Sequence, residues 1–283
     1  MNYDRIKDTV NVNLMQQSHV TIVGGAFQLA CDLARCGMGS ITLVDFDTVD
    51  KTNPARQDFD NQDINRLKIQ ATADTIRRIN PQTEVTCLAR DFCSITPSEF
   101  DELFGHTDLF IMATDFFPAQ ARGNTEAIRL NKPALYIGMY AGARAGEIIY
   151  HVPDSSTAAC YRCICSSRYK AFQNGIAATP SSGGTIFDLH LIDAIAGQIA
   201  LGILTRGSEN RMGRLIEQLG DRNLIQVKID PEYRMGQKDI FAKYLGDSSA
   251  NFSFTSIALQ GGYEKDCPDC QGKFADKVNN NHA

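Results

Sequence analysis

Residues 19–47 read HVTIVGGAFQLACDLARCGMGSITLVDFD, and this stretch decides the fold. The run His19-Val20-Thr21-Ile22-Val23 is short, apolar and β-branched, which predicts a strand. Gly24-Gly25 follow as a turn, residues 26–36 read as a helix ended by Gly37, and residues 40–44 read as a second strand closed by Asp45-Phe46-Asp47. Strand, glycine turn, helix, strand and acidic residue is the order of a nucleotide-binding βαβ unit. The glycines let backbone approach phosphate, and the helix N-terminus adds partial positive charge. The acid at the end of the second strand can hydrogen-bond ribose hydroxyls. A Gly-Gly turn alone is a weak signal, and the absence of G-x-G-x-x-G argues against a dinucleotide oxidoreductase.

Working outward, the alternation continues. Helices are expected over 62–79, 118–131 and 185–204, and strands over 84–89, 108–114, 134–140 and 147–152. Strands alternating with helices imply an α/β fold: a Rossmann-like, mostly parallel sheet with helices on both faces. Further strands at 223–229 and 251–259 predict a C-terminal antiparallel extension.

The chain has 283 residues, 43% hydrophobic, with net charge −5. That is enough apolar content for a packed core, and the charge gives no reason to expect nucleic-acid binding. The most apolar stretch, 192–204, carries Asp193 and Gln198 and is too short to span a bilayer, so no membrane role is expected. Nine cysteines and an N-terminus without an apolar segment point to a reducing, cytoplasmic setting. Four of the cysteines form two knuckles of identical spacing, Cys160-Tyr-Arg-Cys163 and Cys267-Pro-Asp-Cys270. Each C-x2-C turn can supply two vertices of a tetrahedron, so the pair predicts a structural Zn²⁺ site on Cys160, Cys163, Cys267 and Cys270.

A longer run sharpens the reading. Asp45-Phe-Asp47 leads to Asn53-Pro-Ala-Arg56-Gln57, then Asn65-Arg-Leu-Lys68, Ile79-Asn80-Pro81 and Ala113-Thr114-Asp115. This order, with the C-Y-R-C knuckle, resembles the E1-like activating-enzyme superfamily that includes the ThiF and MoeB proteins. The resemblance runs from about Tyr3 to Leu204 and returns at the second knuckle. It implies ATP-dependent adenylation of a C-terminal carboxylate, usually that of a ubiquitin-like or sulfur-carrier protein ending in Gly-Gly, with pyrophosphate released. It further implies that Gly24 and Gly25 face the phosphates, Asp45 and Asp47 the ribose side, and Asn53, Arg56 and Lys68 the phosphates. Gln57 would stand behind them, and Asp115 would hold Mg²⁺ or act beside it. Arg5 resembles the N-terminal arginine that completes the neighbour's site in a homodimer.

The chain also departs from that pattern. The segment from Val23 to Leu29 is two or three residues shorter than the family's glycine loop, and Phe27 and Gln28 stand where small residues are expected. Phe116 follows Asp115 where the family often has Asn. The loop 175–184 holds no cysteine, so adenylation without an obligatory enzyme thioester is expected. The division expected is 1–205 adenylation domain with the first knuckle, 206–265 inserted β-rich extension, and 266–283 second knuckle and tail. The alternatives are a peptide or small-molecule carboxylate as substrate, or a non-catalytic scaffold partner.

Overall fold

The structure, a computed structural model, describes residues 1–157, 159–176, 183–235, 239–246 and 254–271. A short helix α1 (Val12–Gln17) precedes the nucleotide-type unit of β1 (His19–Gly24), α2 (Phe27–Arg35) and β2 (Ser40–Val44). Then come α3 (Lys68–Ile79), β3 (Glu84–Leu88), α4 (Pro97–Phe104), β4 (Leu109–Ala113), α5 (Phe117–Arg129), β5 (Ala134–Met139) and β6 (Ala145–His151). The remainder is α6 (Tyr161–Ile164), α7 (Ser166–Gln173), α8 (Ile186–Leu204), α9 (Leu215–Leu219), β7 (Leu224–Lys228), α10 (Ile240–Leu245) and β8 (Thr255–Leu259).

All eight strands join one sheet in the order β3-β2-β1-β4-β5-β6-β7-β8. The pairs from β3 to β5 are parallel and those from β5 to β8 antiparallel. The sheet is thus Rossmann-like and mostly parallel in its first half, with an antiparallel C-terminal half. The chain leaves β1 in one direction for β2 and β3 and returns to its other side for β4. The crevice between β1 and β4 is therefore the topological switch point, where such sheets bind ligands at the carboxyl ends of their strands.

The two-residue period of the strands feeds two cores. Val20 and Ile22 of β1 and Leu109 and Ile111 of β4 pack under α1, α2, α3 and α8, while Val23, Phe110 and Met112 pack under α4 to α7. Because both faces are covered, these strands read as unbroken apolar runs rather than as alternation.

Several local outcomes differ from the sequence expectation, the unexpected helices α1, α7, α9 and α10 among them. The helix expected over 62–79 begins only at Lys68, because Asn65 adopts φ +70° and Leu67 pairs as a bridge with Thr48. Helix α4 was not expected, although Thr96 and Glu99 form a reciprocal capping box with Pro97 at the first helical position. Phe27, which stands where a small residue is expected, is buried in the core with its ring 4.6 Å edge-on from Phe59.

Strands β7 and β8, from the 206–265 segment, continue the same sheet beyond β6. Residues 251–253 of the expected last strand, 177–182 of the loop and 272–283 of the tail lie outside the described residues. Helix α8, 19 residues long with a mean hydropathy of 1.5 over an 18-residue window, is long and apolar enough by composition to cross a membrane. Here its Ile192, Ala196, Ile199, Ala200 and Ile203 are core side chains.

Candidate nucleotide cleft and metal centre

The register puts Val23 beside both Val44 and Met112, so Gly24, Asp45 and Ala113 stand at one level where the strands end. A cleft of about 1000 Å³ opens there, at the large end of the roughly 300–1,000 Å³ typical of ligand pockets. Gly24, Gly25, Asp45, Asp47, Asn53, Arg56, Gln57, Lys68 and Asp115 all line it. Their side chains come from five separate chain segments and are brought together by the sheet. Gly24 adopts φ +89°, and a Cβ there would lie 2.6 Å from the Ala113 carbonyl oxygen. A side chain is therefore excluded both by the backbone and by the close approach of β1 to β4. The short loop leads straight into α2, whose N-cap Ala26 supplies no side-chain hydrogen bond. The cap thus leaves the Phe27 and Gln28 N–H groups without a side-chain acceptor, as an anion site at a helix start requires, while the Leu29 N–H donates to the Asp193 carboxylate. Gln28 turns along the helix and donates to Asp32 at 2.9 Å. Neither Phe27 nor Gln28 lines the main cleft.

The polar wall is built from short turns. Asp45 accepts from the Asp47 N–H at 2.9 Å. Burial pushes its carboxyl above the ordinary range, partly offset by that hydrogen bond. Lys68 opens α3 and is anchored twice to Asp47: its N–H donates to the Asp47 carbonyl at 2.9 Å and its Nζ to Oδ2 at 3.0 Å. The Asn53 carbonyl accepts from the N–H groups of Arg56 and Gln57. That turn, with Pro54 at its start, aims both side chains at the cleft. The Gln57 Oε1 is buried without a hydrogen-bond partner, and its Nε2 lies 3.4 Å from where a Gly25 Cβ would stand. Gly24, held bare, and the cations Arg56 and Lys68 on the cleft wall fit a polyphosphate. Asp115 is exposed at the end of β4, a position suited to a hydrated cation. Arg5 is exposed in the turns before α1 and does not line the cleft of its own chain.

The cleft contains groups that the sequence did not single out. Glu147 on β6 forms an ion pair with Arg168 on α7 and accepts from the Tyr140 hydroxyl at 2.6 Å. Asp193 on α8 reaches the cleft from the opposite side. Burial pushes its carboxyl up to about 7; His190 opposes this, and Asp32 and Asp58 add to it.

The four knuckle sulphurs lie within 4.8 Å of one another and are buried. Cys160 Sγ is 3.7 Å from both Cys163 Sγ and Cys267 Sγ, and Cys163 Sγ is 3.8 Å from Cys270 Sγ. A tetrahedral zinc with 2.3 Å bonds needs sulphurs about 3.8 Å apart, so the quartet fits Zn²⁺. Asp269, inside the second knuckle, accepts from Arg162 at 2.9 Å and from Asn124 at 2.7 Å. The remaining thiols are less reactive than free cysteine. Burial pushes Cys31 and Cys165 up to about 12 and raises Cys36, Cys87 and Cys93. Among the described residues no cysteine lines the cleft.

Fold and site together define a Rossmann-like α/β protein with a candidate nucleotide cleft and a four-cysteine cluster that fits zinc. The chain belongs to the ThiF family, whose model matches residues 7–215. It is 27% identical over 186 residues to MoeZ of Mycobacterium tuberculosis, a match covering 65% of this chain and 46% of MoeZ. It is 30% identical over 154 residues to the adenylyltransferase and sulfurtransferase MOCS3-2 of Zea mays, covering 53% of this chain and 30% of that protein. The chain thus spans less than half the length of these curated relatives. Among solved structures, E. coli MccB with ATP superposes with a TM-score of 0.66 at 17% identity, covering 92% of this chain and 68% of MccB. That likeness shows the fold.

Proposed function

We propose that this chain adenylates the C-terminal glycine carboxylate of a ubiquitin-like or sulfur-carrier protein, with ATP as the second substrate. The observation that carries the reading is the convergence of nine candidate residues, from Gly24 to Asp115, on one cleft. In the reaction a carboxylate oxygen bonds to the α-phosphorus of ATP and the bond to the β-phosphate oxygen breaks, its electron pair leaving with pyrophosphate. The protein's part is positioning and neutralisation of charge. Asp45 accepts the ribose hydroxyls, and the α2 N-terminus with Gly24 and Gly25 admits the phosphates. Arg56 and Lys68 balance the negative charge that grows on the departing pyrophosphate, with Asn53 and Gln57 donating amide hydrogens. Asp115 would hold Mg²⁺, which would supply positive charge to the phosphates. The Lys68–Asp47 ion pair must loosen for Lys68 to reach them.

The zinc would hold the second knuckle to the first and take no part in the chemistry. A homodimer is the assembly proposed. Helix α8 is strongly apolar, and Phe187 is 77% exposed while Leu191, Ala194 and Ile195 also keep accessible surface on the same side. A second copy would cover this face and bring Arg5 to its neighbour's cleft. Mixing inactive Arg5→Ala and Lys68→Ala chains should then restore activity, and failure to do so would remove the cross-subunit role. The buried, unpaired thiols suit a reducing, cytoplasmic setting. A second reading, a peptide or small-molecule carboxylate, rests on the likeness to MccB, which was solved with MccA as well as with ATP.

The test is exchange of labelled pyrophosphate into ATP. A small protein ending in Gly-Gly should support exchange, and the same protein amidated at its C-terminus should not. Exchange with the amidated form as well would show that the carboxylate is not the group activated. No exchange with any carboxylate would leave a non-catalytic scaffold.

A further inference from the structure

Tyr161 lies between the two cysteines of the first knuckle but points away from the sulphurs. Its ring stacks on Tyr136 of β5 with centroids 4.2 Å apart, and its hydroxyl donates to Gln120 Oε1 on α5 at 2.6 Å. Gln120 Nε2 in turn donates to the carbonyl oxygen of Thr114 at 2.7 Å. Tyr161 is 1% and Gln120 7% exposed, so water does not compete for these bonds. The Thr114 carbonyl belongs to the peptide group that joins Thr114 to Asp115. Fixing that plane fixes where the Asp115 side chain leaves the end of β4. The neighbouring Phe116 N–H is tied to Thr114 Oγ1 at 3.1 Å, so the whole turn is set by Thr114. The metal centre holds the other end of the chain of bonds. The Tyr161 N–H donates to Asn124 Oδ1 at 3.1 Å, and Asn124 Nδ2 donates to Asp269 of the second knuckle at 2.7 Å. Helix α5 is thus pinned to the metal centre one turn beyond the residue that grips Thr114.

We infer that Tyr161 and Gln120 are positioning residues through which the zinc knuckle sets the orientation of Asp115. The inference rests on the adenylation reading for what Asp115 does, but not for the bonds that hold it. A hydrogen-bond chain that merely filled a core would leave the cation requirement of the reaction alone. One that aims Asp115 would not.

The conservative variant is Tyr161→Phe, which keeps the stack on Tyr136 and loses one hydroxyl. Zinc content and ATP affinity measured without magnesium should stay as in the parent chain. In pyrophosphate exchange, kcat should fall and the half-saturating Mg²⁺ concentration should rise, each by about tenfold, as for other residues that orient a metal ligand. Gln120→Met should give the same pair of changes, and the double variant should be no worse than either single one, since both break one path. Hydrogen exchange supplies a readout that needs no activity: the Phe116 amide should exchange faster in zinc-loaded Tyr161→Phe. Unchanged Mg²⁺ dependence and unchanged Phe116 exchange, or additive losses in the double variant, would overturn the inference. If the parent chain shows no pyrophosphate exchange, adenylation fails, and the Phe116 amide alone decides the positioning role: faster exchange upholds it and unchanged exchange removes it.

Discussion

Replacing Cys267 by Ser should cost the protein its zinc and a large part of its thermal stability. Cys160 and Cys267 are 107 positions apart in sequence and their sulphurs 3.7 Å apart in space. A metal bridging them closes a long loop and removes freedom from the unfolded chain. The polymer estimate for a cross-link is 2.1 + 1.5R ln n cal/mol/K, which for n of 107 gives about 4.8 kcal/mol at 25 °C. At roughly 2 °C per kcal/mol for a large domain, Tm should fall by about 10 °C. The Arg162–Asp269 and Asn124–Asp269 contacts keep part of the tail docked, so the loss should stay below the full value. Acid should reproduce the effect: the ligands are thiolates, so the metal's contribution is present at neutral pH and disappears as falling pH protonates them. The assays are metal analysis of the purified chain and calorimetric melting with and without a chelator. Stoichiometric zinc in Cys267→Ser, or a chelated parent chain that melts at its normal temperature, would refute the loop-closure argument.

Lys68→Ala should lower the rate of pyrophosphate exchange by about a hundredfold, on the order of 3 kcal/mol, through loss of one charge contact in the transition state; an unchanged kcat would exclude Lys68 from the chemistry. Asp115→Ala should be at least as damaging while ATP still binds, whereas Asp45→Ala should lose ATP binding itself, both read by calorimetry and exchange. Asp193→Asn should change the pH dependence of stability. Burial raises this carboxyl from its ordinary 3.8 to about 7, so its protonated form favours the fold and the advantage is lost as pH climbs through 7. The variant should match the parent near pH 4 and exceed it at pH 8 by up to about 4 kcal/mol; chemical denaturation at the two pH values measures this, and equal differences at both would remove the buried-carboxyl argument.

How much of this could be read from the sequence depends on how local each feature is. The parallel half of the sheet was legible because its strands are β-branched runs that end at glycine or acidic turns. The convergence of the candidate residues on one cleft was legible in part: Gly24, Gly25, Asp45, Asp47 and Asp115 sit at or just beyond the carboxyl end of a strand, whereas Asn53, Arg56 and Gln57 sit in a later turn and Lys68 opens α3. The metal quartet was legible because identical C-x2-C spacing survives the long separation. The left-handed Asn65 was not anticipated, since the residues around it carry helical periodicity and only the Leu67–Thr48 bridge shows why the helix starts late. Helix α4 carries a readable cap in Thr96, Pro97 and Glu99 but is only eight residues long. The Glu147–Arg168 pair and the Tyr161–Gln120 bond carry no local signature, because their partners come from elements that meet only when the sheet closes. Phe27 looked like an obstacle in the one-dimensional pattern; the helix turns it towards Phe59 and leaves the cleft free.

The central claim is that a carboxylate oxygen attacks the α-phosphorus of ATP in the cleft between β1 and β4. It is tested most directly with a Gly-Gly-ended protein carrying ¹⁸O in its terminal carboxylate. The zinc-loaded chain, given ATP, Mg²⁺ and a thiol or amine acceptor, should release AMP containing one ¹⁸O atom, and Asp115→Ala should release none. ADP as the product, or AMP free of label, would contradict the account.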